Sequence, residues 1–207
     1  LPHAEQSSAF HRWAIRSAED MEPPASGPDL FLAEYLEEIG FAGLPHVVSR
    51  IELDKYIVGG EVELVQPEPE LLRGVSKSEY AEQFRRGKLY VGSGAFGNGV
   101  YTAFGERAVV LARRSAGPTG TILRMSLKAE ARVATLRDTE AEMMAEREQR
   151  REMGNLPFPT ELLLYTDAGR YGAHRDYDAV RVEAHESLML VLNRTALRVQ
   201  EEPYDLA

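Results

Sequence analysis

The chain contains no cysteine in its 207 residues. It can therefore carry neither a disulfide framework nor a thiolate-ligated metal, which fits a reducing compartment or a protein that must unfold and refold in transit. It also lacks any apolar run long enough to span a membrane, and its start does not read as a signal peptide. It lacks basic excess: the net charge is −9 and the pI about 5.2. That balance argues against broad binding to nucleic acid or membranes and leaves room only for a local basic patch. No internal repeat is present. The first residue is Leu1, not methionine, which reads as a fragment or a processed product. The length suits one domain with a small appended helical piece, and is enough to bury a proper core.

What the sequence has in abundance is glycine in one place. Leu89-Tyr-Val-Gly-Ser-Gly-Ala-Phe-Gly-Asn-Gly-Val-Tyr-Thr-Ala103 is an apolar run, then Gly92, Gly94, Gly97 and Gly99, then a second apolar run containing Tyr101. Glycines packed this densely suggest a ligand lying against main chain, or a tight hairpin. The segment Gly92–Gly97 spells GxGxxG, but the dinucleotide fingerprint needs a helix straight after the glycines and an acidic residue some twenty positions on. Val100–Ala103 reads as strand, and no Asp occurs between Gly92 and Arg137. A Rossmann unit is excluded on both counts. The stretch reads as two strands joined through a glycine loop.

Around it, residues 5–21 read as an amphipathic helix with Phe10, Trp13, Ala14, Ser17 and Met21 on one face, followed by a Pro-rich linker over 22–28. A helix is expected over Asp29–Ile39, with Gly40 as its stop. Another opens at the capping box Ser49-Arg-Ile-Glu52. Residues 1–60 thus form an N-terminal helical region. Strands are expected at Glu61–Gln66 and Leu71–Val75. A helix from the capping box Ser76–Glu79 to Arg86 should bury Tyr80 and Phe84. Next come a helix over 104–115, strands over 120–127 and 131–136, and a charged helix over Asp138–Glu152 with Asp138 as its cap. Met153–Asp178 reads as irregular, and three closing strands fall in 178–182, 187–192 and 196–199. Helices first, then short strands with few helices between, indicate an α+β antiparallel arrangement.

Three pieces line up in order: Leu72-Arg-Gly-Val75, Gly94-Ala-Phe-Gly-Asn-Gly-Val-Tyr-Thr-Ala103, and Glu186-Ser-Leu-Met-Leu-Val-Leu-Asn-Arg-Thr-Ala-Leu-Arg-Val199. Together they resemble the ADP-ribosyltransferase superfamily over about residues 61–200. The middle piece is similar to the glycine-x-glycine-x-tyrosine segment of the poly(ADP-ribose) polymerase branch, and the Arg-Gly to the toxin branch. Bacterial and phage polymorphic-toxin domains share the Arg-Gly-Val, Gly-Asn-Gly-x-Tyr and Leu-Asn-Arg-Thr strings. The resemblance implies split antiparallel β-sheets around an NAD cleft, with residues 61–207 as the catalytic domain. It implies a mono-ADP-ribosyltransferase that moves ADP-ribose from NAD to a protein or nucleic-acid acceptor and releases nicotinamide, without a metal. NAD glycohydrolase activity, or an inactive ADP-ribose- or partner-binding domain, are the alternatives. A toxin of this type is a secreted or delivered effector acting in the cytoplasm of a target cell, with a cognate immunity protein as partner; otherwise the chain is cytoplasmic.

The site residues follow from the match. Cleavage of the nicotinamide–ribose bond passes through an oxocarbenium-like cation, which a fixed carboxylate stabilises. Glu186 takes that role, with Glu183 as the second choice; the alternative for Glu186 is a plain surface glutamate. Arg73 would grip pyrophosphate or ribose with its fork of donors, or else pair with a core carboxylate. Tyr101 would stack on nicotinamide, or is simply core. Gly74, Ser93, Gly94, Phe96, Gly97 and Gly99 would lie against the dinucleotide. Ser93 stands in for the absent Ser-Thr-Ser strand. Ala108 and Leu111 occupy the places of a Ser and a second stacking Tyr, leaving Tyr101, or Phe104 from another angle, to hold the ring. Ala184 replaces the Gln or Glu that selects arginine acceptors, which turns the expectation away from arginine modification. His174, Asp176, Asp178, Glu183 and His185 match no metal-ligand spacing. Arg147, Arg150, Arg151, Arg170 and Arg175 either gather as a basic patch or are solvated.

Overall fold

The structure is a computed structural model, and it describes residues 28–59, 67–154, 161–182 and 188–204. The expected helix over 5–21, the strand Glu61–Gln66, and the stretch holding Glu183, Ala184, His185 and Glu186 lie outside the described residues.

The first described helix, α1 (Leu30–Glu38), starts where the Asp29 carboxylate accepts from Leu32 N at 3.0 Å. Its Leu32 and Leu36 are fully buried. A short strand, β1 (His46–Val48), follows, then α2 (Arg50–Val58), which Ser49 caps by accepting from Glu52 N. Next come β2 (Glu70–Val75), α3 (Ser78–Arg86), β3 (Val100–Ala103), α4 (Ala108–Ala116) and β4 (Thr121–Leu127). The chain closes with β5 (Val133–Thr135), α5 (Leu136–Glu152), α6 (Ala168–His174), β6 (Ala179–Val182), β7 (Leu188–Val191) and β8 (Leu197–Gln200).

The strands form one eight-stranded sheet in the order β1-β8-β4-β2-β3-β7-β6-β5. The α+β class is as expected, but the sheet is mixed rather than antiparallel. Its inner pairs are antiparallel, whereas β1 runs parallel to β8 and β5 parallel to β6 at the edges. The cause for β5/β6 is the connection: α5 and α6 lie between them, and a parallel pair needs a crossover of that kind. Residues 28–59 are woven into this body. β1 pairs with β8, and Leu32 and Leu36 share a core with Leu71, Leu123, Leu190 and Val199.

The halves of the sheet touch lightly. Between β2 and β3 the only register pair is Leu72↔Ala103, while β2 follows β4 for six residues and β3 follows β7 for four. Beyond that pair the strands part, and α4 covers the junction with Ala108, Ala112 and Ala116. Small residues are required here because the helix sits directly on β2. A Cβ at Gly74 would run into the Ala112 carbonyl oxygen.

Four local expectations change. The capping box at Ser76 does not form; Lys77 occupies the cap position without a side-chain bond. Phe84 is buried, but Tyr80 is 45% exposed, since α3 turns Ala81, Phe84 and Arg85 inward. α5 begins two residues early, capped by Thr135, whose hydroxyl accepts from Asp138 N. The stretch read as irregular holds a 3-10 turn (Glu161–Tyr165) and α6, whose cap Asp167 accepts from Gly169 N and Arg170 N. Gly169 and Gly172 disguised that helix, because glycine is a poor helix former. Gly169 is required by contact: a Cβ there would strike the Asn98 carbonyl oxygen.

Candidate functional site

Where β2 and β3 part, two cavities open on either side of Arg73. The larger, about 570 Å³, is walled by β2, α3 and Lys88–Tyr90, with Pro28 at one edge. The smaller, about 240 Å³, is walled by Leu72–Gly74, Tyr101–Ala103, α4 and Leu188. Arg73, Gly74 and Ser115 line both. The larger is in the size range of small-molecule sites.

Arg73 is half-buried and poorly satisfied. Its Nη1 donates to the Tyr101 carbonyl at 3.1 Å, and its guanidinium lies 5.8 Å from the Phe84 ring centroid. Its Nε is buried and has no hydrogen-bond partner among the described residues. No described carboxylate pairs with it, and burial pulls its pKa down to about 10. A guanidinium stays protonated at any physiological pH, so what burial produces is a cation in want of an anion.

Tyr101 has two jobs. It lines the smaller cavity, and its hydroxyl organises the glycine loop. The hydroxyl oxygen accepts from Phe96 N at 3.1 Å, and the O–H donates to the Gly97 carbonyl at 2.7 Å. Burial, with the Asp167 charge, pushes the phenol pKa up against the lowering effect of the Phe96 N–H, so it remains a donor. Gly94 is glycine because the Tyr101 phenol occupies the space of a Cβ. Gly97 and Gly99 have φ of 114° and 158°, and pack against α6 and Leu190.

Of the residues expected at the site, Arg73, Gly74 and Tyr101 come together around the smaller cavity. Ser93 and Gly94 are exposed, Phe96 and Phe104 half-buried, Gly97 and Gly99 buried, and none of these lines either cavity. Glu186 lies outside the described residues, two positions before Leu188, which lines the smaller cavity and pairs with Ala103. Among the described residues, no group of three or more His, Asp or Glu is placed to hold a metal ion.

The sequence reading missed a latch behind the loop. Asp29 is 7% exposed, and its carboxylate accepts from Leu32 N, Asn98 Nδ2 (2.7 Å), Arg170 Nε (2.8 Å) and Arg170 Nη2 (3.0 Å). Asn98 N in turn donates to Asp167 at 2.9 Å, and Asn98 Oδ1 accepts from Gly94 N. Burial alone would raise the Asp29 pKa; the bonds from Arg170, Leu32 and Asn98 and the Arg170 charge outweigh it and hold the group below its ordinary value. The signal was present locally, since Asp29 and Asp167 both stand where helix caps belong and Asn98 sits between two glycines. That they meet is a long-range fact.

Of the arginines that either gather as a patch or are solvated, four are paired with carboxylates. Arg150 pairs with Glu146, Arg151 with Glu148, Arg170 with Asp29 and Arg175 with Glu142. Among the described residues no helix is long and apolar enough to cross a membrane. Comparison with protein-family models, with curated proteins and with solved structures finds no match to this chain in any of the three.

Proposed function

We propose that the chain is a mono-ADP-ribosyltransferase of the toxin or effector type, with NAD as donor and a macromolecule as acceptor. The observation that carries the reading is Arg73: a half-buried cation that no described carboxylate pairs, at the mouth between two strands that part, sharing one cavity with Tyr101 and Gly74. An anionic ligand would satisfy it, and a pyrophosphate suits the planar fork of donors. The weak β2/β3 seam supports the split-sheet architecture of that superfamily.

On this reading the nicotinamide end of NAD enters the smaller cavity, against the Tyr101 ring, while Arg73 holds the phosphates. Glu186 belongs at the same cavity. Only Ser187 separates it from Leu188, a span of about 7 Å at most. Its carboxylate would stabilise the ribosyl cation as the bond to nicotinamide breaks and would grip a ribose hydroxyl. The latch keeps the glycine loop, and through it the Tyr101 ring, in one position, so that little reorganisation is needed at reaction.

The test uses the full chain with NAD labelled in its adenosine half and a cell lysate. Transfer of label to a macromolecule with release of nicotinamide is the expected result. Nicotinamide release without any acceptor would identify the hydrolase instead. NAD binding without turnover, seen as a raised melting temperature alone, would leave only the binding domain. No label, no release and no thermal shift would end the NAD reading altogether.

A further inference from the structure

We propose that the exposed face of α4 is a docking surface for single-stranded nucleic acid, whose phosphates seat on Arg107 and Arg114. Its role as the acceptor of ADP-ribose rests on the transferase reading; the docking itself does not.

The chain is acidic overall, and many of its described arginines are matched to carboxylates. α4 is an exception. Arg107, Arg113 and Arg114 are exposed, and no ion pair of the described residues includes any of them. Helical spacing sorts them. Ala108, Ala112 and Ala116 face the sheet, and Leu111 and Ser115 face the cavity. Arg107, Leu111 and Arg114 follow the i, i+4, i+7 spacing of one face, so Arg107 and Arg114 flank the cavity wall while Arg113 points toward a separate hollow beside Tyr204. Val110, 65% exposed, lies between them. A pair of unneutralised guanidinium groups beside the reaction cavity of a protein with net negative charge selects for a polyanion.

The kind of polyanion follows from the other side of Ser115. There the larger cavity opens between Tyr80 and Tyr90, both exposed, with the Lys77 ammonium 5.7 Å from the Tyr80 ring centroid; Lys88, in its wall, pairs with Glu37 at 3.5 Å. Cations in line with exposed aromatic faces are the means by which single strands are held, because unpaired bases stack on the rings while phosphates meet the charges. An acidic peptide has no planar group for these tyrosines. A duplex keeps its bases stacked on each other.

The experiment measures fluorescence anisotropy of a labelled single strand of about 12 nucleotides, as RNA and as DNA, with the full chain and no NAD. Binding at low salt is expected to weaken at least tenfold in the double variant Arg107→Glu, Arg114→Glu. Its salt dependence should fall by about 1 to 2 in the slope of log K against log salt, at about 0.7 per phosphate contact. Tyr80→Ala and Tyr90→Ala should each weaken binding about fivefold or more. The melting temperature of the arginine variant should match the parent protein and show that the fold is intact. Absence of binding at low salt, binding indifferent to the charge reversal, or equal competition by a poly-glutamate peptide would each overturn the proposal. Intact binding with no transfer of label from NAD to any macromolecule would instead break the transferase reading and leave the docking surface standing.

Discussion

Arg170 and Arg73 lie in two regions of one molecule that treat the same side chain in opposite ways. In the latch, Arg170 finds a carboxylate 2.8 Å away, itself almost fully buried, and the two share two hydrogen bonds. The Arg170 guanidinium also stands 4.9 Å from the Phe31 ring centroid. In the cleft, Arg73 has one carbonyl, one aromatic face and an orphaned Nε among the described residues. A fold retains a satisfied buried pair at little net gain, but losing one member leaves the other stranded. A stranded cation that persists beside a cavity is a cost the structure bears without return, unless a ligand completes it. The latch is thus closed among its own residues, and the cleft holds a cation that no described carboxylate meets.

The sharpest way to break this contrast is to strand the latch too. Asp29→Ala should destabilise the protein by about 3–5 kcal/mol, because it leaves Arg170 buried without its anion. Chemical denaturation measures this, and a cost under about 1 kcal/mol would show that water relieves Arg170. Second in size is a change in chemistry without a change in stability. Glu186→Gln should lower nicotinamide release on the order of 10²–10³-fold, the loss for one preorganised electrostatic group, with an unaltered melting temperature. Third, Arg73→Met should leave stability unchanged or raise it by about 1–2 kcal/mol, since it removes a stranded charge. The same variant should abolish the thermal shift given by NAD. That shift should be several degrees in the parent, from about 2.7 kcal/mol at a ligand concentration of 100 Kd. A large loss of stability in Arg73→Met would place that residue with Arg170 and erase the distinction.

The smallest effect is the pH dependence of the latch. Asp29 is held below its ordinary carboxylate value in the folded protein. Its contribution is therefore fully present above the unfolded pKa, near 3.9, and is lost as pH falls through the lower folded value. Asp29→Asn should flatten the acid limb of the stability curve below about pH 4. An unchanged limb would mean that other carboxylates govern acid unfolding.

Periodicity and caps made much of this architecture legible. The capping Ser49, the apolar stripe of α1, the run Leu71–Val75 and the turn at Gly87 are local signals, and the elements they imply are present. What failed was also local in form. The glycines of α6 read as loop, because their value lies in distant contacts, Gly169 with Asn98 and Gly172 with Leu192 and Val180. Tyr80 read as buried from its spacing to Phe84, yet the inward face of α3 is set by what it packs against.

From residue order alone came the α+β class and the glycine loop as the point of organisation. Both depend on short-range pattern, where a side chain's period or a glycine's freedom speaks for itself; Arg73 and Tyr101 were put at one site by the resemblance of their motifs. The parallel edges of the sheet, the light seam between β2 and β3, the Asp29–Arg170 latch and the unpaired arginines of α4 needed the folded chain. Pairing of charges and parting of strands are relations between distant segments, and no local spacing encodes which partner each will meet.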